Sequence, residues 1–559
     1  MTKRAPSASQ NVFEERAENL TPQELSDWTV LSDAERQIVR KLTGPGAKLI
    51  SGPRGSGKST LLRIAYFDLL KSHAALPIYV NYSKALALEP LFHSHADALL
   101  LFRQWVLSKI LVGLRETLKA WNTAEDQGVA QSIESAIQYI QELEAGSPPT
   151  KLTQSLSPSW IANALQTVAD AQGLTRTALL LDDAAHAFSV RQQREFFEVF
   201  RELRSRDISA KAAIYPGVTS FSPSFQIGHE AEVIEAWFRP DSDSYLGTMR
   251  EIARKRFPTI VEKFAHSADE YLNLLALASF GLPRGFVGLI SDVDDSMVSL
   301  TGVRRHALNA IDTHAEVVKT VFSNVGDRLP RFKNYIEIGR RFESAGRSAI
   351  RDFNKTKIVS RKTATIALAD PIPEEFQRVL RFMEYAGLIR RIEDLSKGTK
   401  GTYRRYVFHY ACLISGNALS LGKNFKIAEI IKALRKPVAH ALVKTKPQTL
   451  LGKDYLGDCS LALPPCPNCG TQRVTDDQKF CMACGKELKA ASVYLELLKA
   501  PVTKLPLPTR KIAALTGEGI LTVQELLSDE TQRFRRPGTS IGPVWAKRIL
   551  NVAEEYVSV

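Results

Sequence analysis

Short apolar runs separated by amphipathic segments dominate the first 240 residues. Five of these runs are typical of buried parallel strands, at 47–51, 77–81, 177–181, 212–218 and 232–236. The stretch from about 100 to 173 repeats its apolar positions at helical spacing and predicts a helical insertion. Strands that alternate with helices form a sheet covered on both faces, so the pattern predicts a three-layer α/β domain over 47–240.

Helices are predicted on both sides of this domain. Residues 1–46 form a polar helical segment, in which Thr21-Pro-Gln-Glu24 and Ser32-Asp-Ala-Glu35 both fit capping boxes. The spacing is again helical over 241–345 and predicts a helical lid. A helix, a basic turn and a strand then follow within 346–446, an order typical of a winged-helix domain. Any basic β-hairpin beside a helix gives the same pattern, and that alternative stays open.

The C-terminal part divides into three short units. A linker is predicted at 447–465, where Pro, Gly and Leu are frequent. A segment with four cysteines follows at 466–490, and a helical module is predicted over 500–559. A chain of 559 residues exceeds the size of one hydrophobic core, so several domains are expected.

The composition is that of an ordinary folded protein, with 44% hydrophobic and 24% charged residues. No apolar run reaches about 18 residues, and the N-terminus lacks the apolar core of a secretory signal. We therefore expect no membrane partner and a cytoplasmic location.

Positive charge is concentrated in one segment. The formal net charge is +14, and the segment from Arg351 to Leu450 holds 20 Lys or Arg against 8 Asp or Glu. Such an excess favours an acidic partner, and we expect nucleic acid, in the first place double-stranded DNA. A solvated basic surface that aids solubility is the alternative.

The loop after the first predicted strand carries the strongest motif. Gly52 to Ser59 reads G-P-R-G-S-G-K-S and matches G-x-x-x-x-G-K-[ST] between a strand and a helix. In such a phosphate-binding loop (P-loop), backbone N–H groups surround the phosphates, the lysine contacts the β- and γ-phosphates, and the hydroxyl binds Mg²⁺. The predicted ATP-binding residues are Gly52, Pro53, Arg54, Gly55, Ser56, Gly57, Lys58, Ser59 and Thr60.

Two carboxylates follow the third predicted strand. In Ala178-Leu-Leu-Leu-Asp182-Asp183, Asp182 is expected to bind the magnesium ion together with Ser59. Asp183 is expected to orient or deprotonate the attacking water, although it is one methylene shorter than the Glu of many such ATPases. Slow or partner-stimulated hydrolysis is therefore expected. The alternative is that the pair only caps the next helix.

These residues resemble AAA+ ATPases of the origin-recognition type, and the related STAND ATPases, over about residues 11–420. The resemblance rests on Asn11–Arg16, the P-loop, Leu179–Asp183, Thr219 and Ser279–Arg284. It implies that Thr219 senses the γ-phosphate from the end of the fourth strand and that Arg284 does so from the lid. It also implies a homo-oligomer formed through the ATPase domain. Alternatively, Arg284 caps its helix or pairs with an acid.

The four cysteines have the spacing of a zinc ribbon. Cys466 and Cys469 form one C-x-x-C-G turn, Cys481 and Cys484 form another, and eleven residues separate the two turns. Four thiolates leave no open coordination position, so a structural Zn²⁺ is predicted. The ribbon either contacts a partner or only braces the C-terminus.

The last 50 residues or so resemble helix-hairpin-helix modules such as the C-terminal domain of the bacterial RNA polymerase α subunit. The resemblance rests on Thr539-Ser-Ile-Gly542-Pro before a helix with Lys547 and Arg548. It implies contact with a DNA phosphate, but Ser540 stands where such hairpins usually begin with Gly. Docking of a protein stays open as the alternative.

Two functions fit this organisation. The first is a nucleotide-switched ATPase that engages nucleic acid through its basic C-terminal domains and recruits an effector or partner protein. The second is a STAND-like signalling ATPase, for example in antiviral defence, whose zinc ribbon and C-terminal module dock protein partners. A metabolic P-loop kinase fits less well, because it leaves the basic multidomain C-terminus unexplained.

Overall fold

The structure is a computed structural model. It describes residues 16–83, 97–123, 127–145, 155–183, 190–296, 302–396, 401–435, 441–475, 478–488, 492–535, 538–539 and 541–557. No helix within these ranges combines the length and the apolar character needed to cross a membrane. Residues 397–400 of the predicted wing and Ser540 of the predicted hairpin lie outside the described residues.

Two short helices precede the first strand, α1 (Pro22–Trp28) and α2 (Asp33–Thr43). Both predicted capping boxes form. Thr21 and Ser32 accept from the backbone N–H groups of Glu24 and Glu35, whose side chains accept from the N-cap backbones in return. This confirms that the local sequence fixes where both helices begin.

A five-stranded parallel sheet forms the first domain. Its strands are β1 (Lys48–Ser51), β2 (Leu76–Asn81), β3 (Thr177–Asp182), β4 (Ile208–Ile214) and β5 (Glu232–Glu235). The strand order is β2-β3-β4-β1-β5, and every pairing is parallel. The predicted parallel α/β sheet is confirmed, but β4 ends at Ile214, four residues before the predicted end of the strand.

Helices cover this sheet. They are α3 (Lys58–Ser72), α4 (Ala98–Ala120), α5 (Gln127–Glu144), α6 (Pro158–Ala171) and α7 (Val190–Leu203). Helix α4 lies directly on β2, because a Cβ atom at Gly113 would come within 2.8 Å of the Tyr79 carbonyl oxygen. In its described residues, the predicted insertion thus consists of three helices, α4 to α6, and α4 packs on the edge strand β2.

Six α-helices follow the sheet within the part of the chain that the structure describes: α8 (Tyr245–Arg256), α9 (Pro258–Lys263), α10 (Ala268–Ala278), α11 (Pro283–Ser296), α12 (Val303–Arg328) and α13 (Lys333–Lys355). The region is helical, as its spacing predicts. The boundary expected between residues 345 and 346 falls inside α13, which continues into the next unit.

A second sheet of four strands follows, in the order β7-β8-β6-β9. Its strands are β6 (Thr365–Ala369), β7 (Ile389–Ser396), β8 (Thr402–Phe408) and β9 (Val443–Thr445). The helices of this unit are α14 (Glu374–Tyr385), α15 (Tyr410–Ser415) and α16 (Ile427–Arg435). Strands β7 and β8 pair antiparallel, as either a wing or another basic β-hairpin would.

Helix α14 packs against the loop that follows β4 in the first domain. The Tyr385 ring contacts the Tyr215 ring edge to face, with 5.7 Å between centroids. A Cβ atom at Gly217 would lie 2.6 Å from the carbonyl carbon of Arg381, so only glycine allows this approach. The helix that a winged-helix domain would offer to DNA is therefore covered by the first domain along this part.

The C-terminal part is packed onto the rest of the chain. The predicted linker contains α17 (Pro447–Leu451) and α18 (Tyr455–Asp458), and Tyr455 is buried against Phe376. The last helices are α19 (Val493–Lys499), α20 (Thr509–Gly517), α21 (Val523–Leu527) and α22 (Pro543–Val557). Trp545 and Tyr556 of α22 belong to the same apolar core as Trp105 and Phe196 of the first domain.

Candidate nucleotide site and zinc centre

The loop between β1 and α3 has the backbone of a phosphate cradle. Gly55 and Gly57 take left-handed φ angles of 78° and 95°, which non-glycine residues rarely adopt. A Cβ atom at Gly52 would lie 2.8 Å from the Ala236 carbonyl oxygen. The buried hydroxyl of Ser56 has no hydrogen-bond partner among the described residues. The loop therefore has the shape and the unmet polar group that a phosphate oxygen would satisfy.

Lys58 points into this loop. Its ammonium group donates to the carbonyl oxygens of Gly52 and Pro53 at 2.8 and 3.0 Å, and lies 3.8 Å from the centre of the Tyr215 ring. Burial lowers the pKa of Lys58 to about 7, although the Asp183 and Asp182 carboxylates act in the opposite direction. A phosphate would favour the charged ammonium in the same way as these carboxylates.

The two predicted acidic residues differ in their surroundings. Asp182 is fully buried at the end of β3, and its carboxylate accepts from the Tyr79 hydroxyl at 2.8 Å and from the Asp183 N–H at 3.0 Å. Asp183 has a left-handed φ of 51°, accepts from the Tyr215 hydroxyl at 2.7 Å and lines the cavity beside the loop. One carboxylate is held in the sheet, and the other faces the space that a ligand would fill.

Tyr215 is a site residue that no motif in the sequence indicates. It is the first residue after β4, contacts both Lys58 and Asp183, and lines the cavity. Burial and the Asp183 carboxylate raise its pKa well above the usual value, so it remains a neutral donor. The Thr219 hydroxyl instead donates to the Tyr215 carbonyl oxygen at 2.9 Å and accepts its N–H at 3.0 Å. Thr219 is not among the residues that line the cavity.

The cavity has a volume of about 540 Å³, within the range of small-molecule sites. Arg54, Gly55, Ser56, Gly57, Lys58, Ser59 and Thr60 line it from the loop and the start of α3. Other walls come from the N-terminal segment, the lid and the C-terminal module, represented by Arg16, Arg284 and Glu555. These donors and the Asp183 carboxylate, with Asp182 buried directly before it, suit Mg²⁺ with a nucleoside triphosphate, which the sequence predicts.

Arg284 lies at the start of α11, directly above the loop. Its backbone N–H approaches the Gly55 carbonyl oxygen at 3.4 Å, and its guanidinium pairs with the Glu555 carboxylate at 2.6 Å. Arg54 of the loop pairs with the same carboxylate oxygen at 2.7 Å. Burial opposes ionisation of Glu555, but Arg284 and Arg54 outweigh it and lower the pKa of Glu555 to about 2. Arg284 thus pairs with an acidic residue, as one of the alternatives from the sequence has it, and this residue is 271 positions away in the chain.

A second contact joins the N-terminal segment to the same helix. The Arg16 guanidinium pairs with Glu554 at 2.8 Å and donates to the Asn551 carbonyl oxygen at 2.6 Å. Arg16, Arg54 and Arg284 thus bring three separate parts of the chain to the end of α22.

The four cysteines form one cluster. The sulfur atoms of Cys466, Cys469, Cys481 and Cys484 all lie within 4.8 Å of one another. Two of the sulfur pairs are 3.5 and 3.6 Å apart, close to the roughly 3.8 Å that follows from four Zn–S bonds in a tetrahedron. The two turns match, because Gly470 and Gly485 both have left-handed φ angles and donate to the carbonyls of Cys466 and Cys481. The cluster fits Zn²⁺.

No protein-family model matches the chain, and no curated protein matches it. Among solved structures, the chain is similar to the crystal structure of Cdc6p from Pyrobaculum aerophilum, with 12% sequence identity and a TM-score of 0.28. The match covers 73% of this chain and 97% of that chain. A TM-score of this size does not establish a shared fold.

Proposed function

We propose that this chain is a magnesium-dependent, AAA+-type ATPase whose nucleotide state controls its C-terminal domains. The observation that carries the proposal is the cavity that joins the glycine loop, Lys58, Asp183 and Arg284, with Asp182 buried next to Asp183 at the end of β3. Lys58 and Arg284 would bind phosphate oxygens, and Ser59 and Asp182 would hold the magnesium ion, which supplies electrostatic stabilisation of the transferring phosphoryl group.

Asp183 and Tyr215 are the groups proposed to act on the attacking water. Asp183 would accept its proton, and the Tyr215 hydroxyl holds the Asp183 carboxylate in place at 2.7 Å. Because the tyrosine hydrogen bond occupies one oxygen of the base, hydrolysis is expected to be slow and to speed up when a partner shifts this pair.

The direct experiment measures ATP hydrolysis by the purified chain with and without double-stranded DNA, at low and moderate salt. Lys58→Ala is the control. Hydrolysis that disappears in this variant supports the ATPase, and DNA stimulation that weakens as salt rises supports engagement of nucleic acid. Phosphate release that persists in Lys58→Ala would refute the assignment of the site.

A basic surface supports nucleic acid as the proposed partner. Helix α16 packs beside the turn Val359–Arg361, and basic side chains are exposed on both and on the segment before α16. They are Arg361, Lys423, Lys426, Lys432 and Arg435. Within the described ranges these five side chains form no ion pair, so they are available for phosphate contacts.

This surface is tested by changing its five basic residues to Ala and measuring DNA affinity against salt concentration. The salt slope should fall by up to about 4.5, or about 0.9 per lost phosphate contact. The matched control changes five other exposed basic residues, namely Lys71, Lys119, Lys255, Arg340 and Lys499. Equal effects in both sets would mean that total charge rather than this surface governs binding.

A second candidate is a signalling ATPase that docks proteins through its C-terminal units. Ion pairs favour this candidate, because the arginines of the β7–β8 hairpin already have acidic partners. Arg391 pairs with Asp394, Arg404 with Asp370 and Arg405 with Glu393. The ribbon also exposes apolar side chains, with Val474, Phe480 and Met482 at 66%, 59% and 73% exposure. DNA-independent hydrolysis with no DNA retained at low salt would favour this candidate.

A further inference from the structure

We propose that Glu555 is a built-in competitor of the nucleotide phosphates, so that triphosphate binding and docking of the C-terminal end of α22 exclude each other. This inference rests on the proposed nucleotide site and adds its regulation. It makes the C-terminal module an inhibitory element that ATP displaces.

The geometry places a carboxylate where phosphate-binding groups converge. One oxygen of Glu555 lies 2.7 Å from Arg54 Nε and 2.6 Å from Arg284 Nη1. Arg54 belongs to the phosphate-binding loop, and Arg284 begins the lid helix above it. All three side chains line the same cavity as Lys58 and Ser59.

Competition follows from the chemistry of these groups. A guanidinium binds carboxylate and phosphate oxygens through the same N–H donors, so neither arginine can pair fully with Glu555 and with a phosphate at the same time. The Glu555 side chain is only 21% exposed, so water screens its charge weakly, and an incoming polyphosphate would meet a nearby negative charge. Full pairing of either arginine with the triphosphate therefore requires the carboxylate to leave.

The rest of α22 is tied to the lid by a separate contact. Arg548 pairs with Asp292 of α11 at 2.6 Å, and both side chains are largely buried, at 14% and 13% exposure. A Cβ atom at Gly288 would lie 2.9 Å from the Arg548 guanidinium, so this glycine makes room for it. Loss of the Glu555 contact would loosen the end of the helix, which Arg16 and the burial of Tyr556 also hold, while the Arg548 anchor keeps its first half in place.

The test compares Glu555→Gln with wild type in the full-length protein. Affinity for a fluorescent ATP analogue with Mg²⁺ should tighten at least about fivefold, the lower end of usual couplings between two ligands. The matched control is Glu496→Gln, which removes an exposed carboxylate of α19, a helix that packs against α22; among the described residues Glu496 pairs only with Lys499. It should leave the affinity unchanged.

A second measurement keeps the proposal testable if Glu555→Gln folds poorly. In wild type, hydrogen exchange of amides near 550–557 should speed up at least about fivefold on addition of ATP and Mg²⁺, whereas amides near 545–549 should change less. The same addition to Lys58→Ala should have no effect.

The outcomes separate this inference from the proposed function. If ATP binds in a Lys58-dependent way but Glu555→Gln binds it no more tightly, and α22 exchange does not rise, the competition is wrong and the nucleotide site stands. Weaker binding by Glu555→Gln would also overturn it, since Glu555 would then position the arginines for the nucleotide. If neither wild type nor Glu555→Gln binds ATP, the proposed function itself fails.

Discussion

The two halves of α22 contact the same lid helix in different ways. Arg548 meets Asp292, which lies outside the nucleotide cavity, whereas Glu555 meets Arg284 and Arg54, which line it. The contacts run antiparallel, because residue 548 pairs with 292 and residue 555 pairs with 284. Both are short ion pairs with limited exposure. Only the second uses side chains that a phosphate would also bind.

The difference shows that the strength of an ion pair does not define its role. A largely buried pair outside the nucleotide cavity, such as Arg548 with Asp292, acts as an anchor, because its separation would leave buried charges without full compensation. A pair that shares its cations with a ligand acts as a switch, because the ligand supplies the compensation. The same helix therefore carries a fixed end and an end that a ligand can release.

The largest effect is expected at the anchor. Arg548→Ala leaves Asp292 buried without its cation and should lower the free energy of unfolding by roughly 3–5 kcal/mol. Thermal and denaturant unfolding of the full chain measure it. Lys547→Ala, the exposed neighbour, should change stability by no more than about 0.5 kcal/mol. A small effect of Arg548→Ala would remove the distinction between the two ends.

At the C-terminal end of α22, the stabilisation contributed by Glu555 is expected to depend on pH. The pKa of Glu555 is about 2 in the folded chain and near 4.5 when exposed, so its stabilisation is complete above about pH 4.5 and is lost as pH falls towards 2. Without nucleotide, wild type should exceed Glu555→Gln by up to roughly 3 kcal/mol at pH 7.

Unfolding measured from pH 7 to 3.5 tests whether the stabilisation by Glu555 decreases as the pH falls. The advantage of wild type should be constant down to about pH 5 and then shrink by at most about 1.4 kcal/mol per pH unit. Glu554→Gln serves as the control, because the exposed pair of Glu554 with Arg16 should contribute only about 0–1 kcal/mol. An advantage that grows towards low pH would contradict the assigned ion pairs.

The smallest effect on α22 is expected from the zinc centre. Chelation should release one Zn²⁺ per chain and unfold 466–488, because a structural zinc supplies most of the stability of a ribbon. Within the described residues the ribbon contributes no ion pair to α22, so exchange at 543–557 should stay unchanged. Metal analysis with hydrogen exchange measures both, and loss of protection in α22 would show that the ribbon braces it.

Local features of the fold could be predicted from the sequence. The two capping boxes, the glycine loop and the paired cysteine turns each depend on residues close together in the chain, and all have the expected geometry. The positions of four of the five strands also agree closely with the apolar runs. These features are fixed by backbone conformation and short-range hydrogen bonds.

Other features depend on contacts that spacing does not encode. The apolar run at 212–218 continues beyond the end of β4. The sequence therefore places Tyr215 inside the strand, whereas it is the first residue after it. The pairing of Glu555 with Arg54 and Arg284 joins residues hundreds of positions apart. The resemblance to helix-hairpin-helix modules implies a DNA contact near Arg548, but the Arg548 guanidinium pairs with Asp292. The roles of Thr219 in nucleotide sensing and of the wing in DNA binding remain predictions.

The central claim is that the loop around Lys58 binds ATP with Mg²⁺. Calorimetric titration of ATP into wild type, Glu555→Gln and Lys58→Ala tests it most directly. We predict one Mg²⁺-dependent site in the first two proteins and an affinity at least about tenfold weaker in Lys58→Ala. Equal affinity in Lys58→Ala, or no binding by either wild type or Glu555→Gln, would contradict it.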